Sequence, residues 1–286
     1  MSFELLDRFS PLAPRYDVIL CDIWGVVHNG VVAHAGACDA LMRFRAGGGT
    51  VILITNAPRP SPWVVHQLDQ FDVPRGAYDD VMTSGDLTRH MVAERNGGAV
   101  FHIGPRRDIT IFDGLAVRFT PVEAAEYVVC SGLFDDTTET PDDYRDLMAK
   151  MRGRDLFMVC ANPDLVVERG NERLYCAGAI ADLYGTMGGD VLYAGKPHRP
   201  IYDAALAKAA AARGSVAAPG RTLAIGDSLR TDMTGAQAMG IDGLFVSGGI
   251  HAEELGQRQS PPRDALGAMF AAARVTPQSV TPHLAW

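Results

Sequence analysis

Val18-Ile19-Leu20-Cys21 is an unbroken apolar run that ends on Asp22, with Gly25 three residues further on. A run without polar alternation suits a strand covered on both faces, which is the environment of a parallel α/β sheet. The pattern recurs. Val51-Ile52-Leu53-Ile54 ends on Thr55-Asn56, and Leu223-Ala224-Ile225-Gly226 ends on Asp227. Val191-Leu192-Tyr193-Ala194 runs into Gly195-Lys196-Pro197. Helical signals lie between these runs. Ala37, Leu41 and Phe44 share one face, Ser61-Pro62 opens a helix, and Thr140-Pro141-Asp142-Asp143 opens another. The alternation predicts an α/β chain with a Rossmann-like, doubly wound parallel sheet. In such sheets ligands bind at the C-terminal ends of the strands.

The spacing of elements tightens between about residues 99 and 189, which predicts a separate α/β unit inserted into the first. The expected division is a core of 1–86 plus 190–286 and an insert of 87–189. Val191–Ala194 is expected to resume the main sheet. Leu5, Leu6 and Phe9 suggest a short N-terminal helix, and the Pro/Thr-rich tail after Arg274 is expected to be loosely held. Asn96-Gly97-Gly98 is expected to close a helix, and Asn171 to mark a hairpin turn.

Composition narrows the function. The 286 residues carry a net charge of −8 with no Lys/Arg cluster, which argues against nucleic-acid and anionic-membrane partners. The five cysteines include no CxxC pair and read as small buried apolar residues, in keeping with a cytoplasmic location. The first residues lack the basic-then-apolar block of a signal peptide, and no run of about 18 apolar residues exists.

Four strand ends carry chemistry: Asp22, Thr55-Asn56, Lys196 and Asp227. Were all four strands parallel in one sheet, these groups would share one edge. A carboxylate can attack phosphorus. A hydroxyl and an amide can hold phosphate oxygens, and a lysine can neutralise charge that develops on them. A second carboxylate can share a divalent cation with the first, and hard oxygen ligands suit Mg²⁺.

Cys21-Asp22-Ile23-Trp24-Gly25-Val26, Ile54-Thr55-Asn56, Gly195-Lys196-Pro197 and Gly226-Asp227-Ser228-Leu229-Arg230-Thr231-Asp232 resemble, in this order, the four motifs of the haloacid dehalogenase-like hydrolases. The likeness is to the subclass that contains nitrophenylphosphatases and nucleotide and sugar phosphatases. Ala161-Asn162-Pro163-Asp164 and Ser247-Gly248-Gly249-Ile250 resemble signatures of that subclass. The resemblance implies an aspartyl-phosphate on Asp22 and a small phosphorylated substrate such as a sugar phosphate or nucleotide. It implies Mg²⁺ held by Asp22, Asp227 and the Trp24 carbonyl, with Asp232 in support. Thr55, Asn56 and Lys196 would hold the phosphoryl group. The 87–189 insert would be the cap, Asn162 and Asp164 would shape its pocket, and a homodimer is possible. The alternatives are a hydrolase of the same fold that cleaves a carbon–phosphorus or carbon–halogen bond, and a phosphometabolite-binding protein without turnover.

The chain departs from the family at Trp24. Family phosphatases usually carry a second aspartate there, which protonates the leaving oxygen. An indole has one N–H and no basic site at neutral pH. His28, in the flap that follows, is a candidate stand-in. His102 and His198 read as structural.

Overall fold

The computed structural model describes residues 3–95, 98–169, 172–256 and 261–286. Asn96 and Gly97 of the expected helix stop, and Asn171 of the expected turn, lie outside the described residues. The strands are β1 (Glu4–Leu5), β2 (Val18–Asp22), β3 (Thr50–Thr55), β4 (Asp80–Thr83), β5 (Ala99–Ile103), β6 (Arg118–Phe119), β7 (Tyr127–Cys130), β8 (Met158–Cys160), β9 (Val166–Arg169), β10 (Glu172–Tyr175), β11 (Val191–Tyr193), β12 (Thr222–Gly226), β13 (Asp242–Val246) and β14 (Ser279–Thr281). The helices are α1 (Ala35–Ala46), α2 (Ser61–Gln70), α3 (Ser84–Ala93), α4 (Arg145–Arg152), α5 (Ala177–Thr186), α6 (Arg199–Arg213), α7 (Thr234–Met239) and α8 (Arg263–Ala273). None of the described helices is long and apolar enough to cross a membrane.

The chain forms two compact units. The first comprises Met1–Thr55, Val65–Met82 and Tyr202–Trp286. Its sheet has the order β1-β14-β13-β12-β2-β3-β4. The β1–β14, β14–β13, β13–β12, β12–β2 and β2–β3 pairs are parallel. Every residue of β2, β3 and β12 is buried, as their continuous apolar runs demand. From β2 the chain moves outward through β3 and β4, then returns at β12 on the other side of β2 and moves outward again. The strand order thus reverses between β2 and β12, which is where a doubly wound sheet opens a crevice for a ligand.

The second unit comprises Asn56–Val64 and Thr83–Ile201, so it takes in the 87–189 segment and runs past it at both ends. Its main sheet has the order β11-β8-β7-β5-β6, and β9 pairs antiparallel with β10 apart from it. The unit has its own core, built around Val128, Met148, Met151, Met158, Ile180 and Tyr184. Thr140 and Asp143 form the capping box that starts the turn leading into α4.

Three expectations are corrected. β11 pairs in parallel with β8 in the second unit's sheet and does not resume the main sheet. Its run of Val, Leu and Tyr fits either sheet, and only tertiary pairing decides. The N-terminal segment around Leu5 is a strand instead of a helix, because Glu4 and Leu5 pair with Ser279 and Val280. The tail is not loose: β14 lies between β13 and β1, Leu284 is buried, and Trp286 meets Phe9 edge-on at 6.1 Å.

Candidate active site

Asp22 is the last residue of β2, and Asp227 directly follows β12. Asp232 sits on a single π turn, Leu229–Met233, that leads into α7. All three are buried, and each offers a carboxylate oxygen within 4.8 Å of the other two. Three like charges this close repel strongly away from water unless a cation or protons intervene. The all-oxygen donor set fits a hard divalent cation.

The backbone shapes the cluster. The Ile250 N–H donates to Asp227 Oδ2 at 2.7 Å. Gly25 (φ +82°) and Gly249 both lie against the Asp227 carboxylate, so close that a Cβ on either would run into it. Gly226 leaves the same kind of room for Asp232. Asp232 Oδ2 accepts the Ser228 N–H at 3.1 Å, and the Ser228 hydroxyl oxygen caps the turn by accepting the Thr231 N–H. Asp232 therefore braces the loop that carries Asp227. Thr55 ends β3, next to β2 in the sheet, and is buried.

The flap after β2 is tightly tied. The Ile23 carbonyl accepts the N–H groups of Val27 and His28, and the Gly25 N–H donates to the His28 carbonyl. Asn29 Oδ1 accepts the N–H groups of Val31 and Val32, which closes a turn through Gly30. The Trp24 indole lies against Gly30, where a Cβ would strike the ring. His28 is wedged edge-on between Trp24 (centroids 5.3 Å apart) and Phe71 (4.8 Å). Its Nδ1 accepts the Gly30 N–H at 3.0 Å. Burial, with His34 nearby, pushes its pKa down to about 4. His28 is thus a packed, neutral ring at neutral pH and does not fit the stand-in role.

The other expected site residues fall in the second unit. Asn56 organises them. Its Oδ1 accepts the Lys196 N–H at 2.7 Å, and its Nδ2 donates to the Lys196 carbonyl (3.1 Å) and to Asp164 Oδ1 (2.9 Å). The amide that was expected to grip phosphate is thus occupied in holding the Lys196 turn and Asp164. Asn162 Oδ1 accepts the Asp164 N–H at 3.1 Å, an Asx turn at the end of β8. Lys196 itself is buried. His198 stacks on Tyr193 with centroids 4.7 Å apart. All five cysteines are buried, and none forms a disulfide.

The Asp227 cradle is formed by Gly25 and Gly249-Ile250, which lie inside the first motif and the Ser247–Ile250 segment but carry no side-chain chemistry that marks them as its support. In the second unit His102, expected to be structural, joins a polar group that includes the buried Ser131 and Asp108. His102 Nε2 pairs with the Ser131 hydroxyl at 2.9 Å. Asp108 lies 3.6 Å from Arg59, and burial pushes its pKa up to about 6 against the pull of Arg107 and Arg59. These residues come from separate elements, so nothing in the sequence joins them.

Comparison with known proteins agrees with this geometry. Residues 19–118 match a family described as haloacid dehalogenase-like hydrolase, and residues 193–273 match a second, HAD-hydrolase-like family. The crystal structure of a hydrolase of the haloacid dehalogenase-like family from Brucella suis 1330 is 46% identical, with a TM-score of 0.87 over 98% of this chain and 100% of that one. The glycerol phosphate phosphatase of Mycobacterium tuberculosis, solved in complex with magnesium, is 26% identical with a TM-score of 0.64 over 83% of this chain and 70% of that one. The D-glycerol 3-phosphate phosphatase of Mycobacterium tuberculosis (strain ATCC 25618 / H37Rv) is 29% identical over 248 residues. That match takes in 84% of this chain but spans only 65% of the relative's length. With 46% identity across the whole of the Brucella protein, the chain belongs to the haloacid dehalogenase-like hydrolase family.

Proposed function

We propose that the chain is a Mg²⁺-dependent hydrolase that moves the phosphoryl group of a small phosphorylated metabolite onto Asp22 and then to water. The observation that carries this reading is the buried trio of Asp22, Asp227 and Asp232 at the reversal point of the sheet. Asp22 is the nucleophile, since it ends a fully buried inner strand at the reversal point and a carboxylate attacks without losing a proton first. Asp22, Asp227 and the Trp24 carbonyl would hold the ion, and Asp232 braces the Asp227 loop through Ser228. A bound Mg²⁺ supplies positive charge against the phosphoryl oxygens. Thr55 binds those oxygens, and Lys196 carries the charge suited to them. Asn56 positions the Lys196 turn and does not offer its own amide, whose two protons are already engaged. The 87–189 insert serves as the substrate-selecting cap, with Asn162 and Asp164 at its pocket. The sugar phosphates and nucleotides that the resemblance implies, and D-glycerol 3-phosphate, named for the mycobacterial relative, belong in the first screen.

Hydrolysis of nitrophenyl phosphate should require Mg²⁺ and stop on chelation. Asp22→Asn should lower turnover by roughly 10³-fold or more, as loss of a nucleophile does. Undiminished release of nitrophenolate by Asp22→Asn would remove the nucleophile assignment.

A further inference from the structure

Breaking the ester bond of an alkyl phosphate calls for a proton on the departing oxygen, and a placed acid typically supplies about 10²–10⁴-fold in rate. The flap between β2 and α1, residues 23–34, has two ionisable side chains, His28 and His34. In each, backbone holds the Nδ1 nitrogen. His28 is 2% exposed, locked between Trp24 and Phe71, with Nδ1 accepting the Gly30 N–H. His34 Nδ1 lies 3.0 Å from the Val26 carbonyl, which can only accept, so this nitrogen is its N–H. Trp24, two residues past Asp22, offers an indole with no basic site. Asp227 and Asp232 belong with Asp22 to the trio suited to a cation, and Asp227 Oδ2 accepts the Ile250 N–H, Asp232 Oδ2 the Ser228 N–H and Asp164 Oδ1 the Asn56 amide.

We propose that this site is built for phosphoryl donors whose leaving group departs as a stable anion, acyl phosphates above all, and that it turns over alkyl phosphate esters poorly. The inference rests on Asp22 as the phosphoryl acceptor. In the first step an Asp22 oxygen bonds to phosphorus while the bond from phosphorus to the acyl oxygen breaks. The electron pair leaves on the released carboxylate, which needs no proton at neutral pH because carboxylic acids ionise near pH 4. In the second step water bonds to phosphorus, the Asp22–phosphorus bond breaks, and the water proton passes to solvent. An alkoxide leaving group, by contrast, would have to depart unprotonated. D-glycerol 3-phosphate, an alkyl ester, then sits at the disfavoured end of the substrate range.

The test is a leaving-group series. kcat/KM is measured with Mg²⁺ for substituted aryl phosphates of graded leaving-group pKa, with acetyl phosphate and glycerol 3-phosphate as the two extremes, in the wild-type protein and in Trp24→Asp. The wild-type value should fall steeply as leaving-group pKa rises, and Trp24→Asp should regain about 10²-fold or more on glycerol 3-phosphate. A flat wild-type series overturns the inference while leaving Asp22 as nucleophile, and it decides the matter even if Trp24→Asp does not fold. Release from no member of the series overturns the phosphoryl-transfer reading itself.

Discussion

Asp227 is held from three directions. The Ile250 N–H binds one oxygen at 2.7 Å, and Gly25 and Gly249 lie against the carboxylate without side chains of their own. Gly25 also needs its φ of +82°, a region that side chains other than glycine's rarely enter. Gly249→Ala places a methyl group where the carboxylate now sits. We expect that variant to fold yet to need roughly 10–100-fold more Mg²⁺ for half-maximal activity, the usual cost of disturbing what orients a metal ligand. A Mg²⁺ titration of nitrophenyl phosphate hydrolysis checks this, and an unchanged midpoint would mean that the cradle does not set the position of Asp227. At this scale the sequence revealed the carboxylates and hid their support. Asp22 and Asp227 each end an apolar run, which is a local signal. The approach of residues 25 and 249 to Asp227 joins three distant parts of the chain and becomes visible only when β2, β12 and β13 lie side by side. The same holds for His28. Its sequence position suggested a proton carrier, but its packing against Phe71 makes it part of the core.

Among elements, the long runs were legible and the short ones were not. β2, β3 and β12 are fully buried strands, and their sequences leave little choice. β14 has three residues, Ser279-Val280-Thr281, with one apolar side chain among prolines and threonines. Its strand character comes from parallel pairing with β13 on one side and β1 on the other, near the opposite end of the chain. Val280 and Leu284 are buried there, each of a kind that costs about 2–5 kcal/mol to delete. Truncation after Gln278 removes both, and it leaves β1 with no neighbour in the sheet. The shortened chain should be insoluble or unfold well below the full-length protein in a thermal melt. A melt indistinguishable from full length would restore the reading of a loose tail. β11 failed for a related reason. A buried Val-Leu-Tyr run states that it is a strand, not which sheet accepts it, and the parallel register with Met158–Cys160 is a tertiary fact.

For the molecule as a whole, the α/β class, the parallel sheet and the order of the four motifs were all readable from strand-end residues. Their division between units was not. Asp22, Thr55, Asp227 and Asp232 belong to the first unit, whereas Asn56, Asp164 and Lys196 are joined by their own hydrogen bonds in the second. The sequence reading set Lys196 on the main sheet because its strand looked like the others; it follows β11 in the smaller sheet instead. What ties the account together is the claim that Asp22 accepts the phosphoryl group. The most direct test is to mix the protein with acetyl phosphate and Mg²⁺, quench in acid within the first turnover, and map the adduct by mass spectrometry. The account predicts one base-labile phosphoryl group on Asp22, absent from Asp22→Asn. A phosphoryl group on another residue, or full turnover by Asp22→Asn, would contradict it.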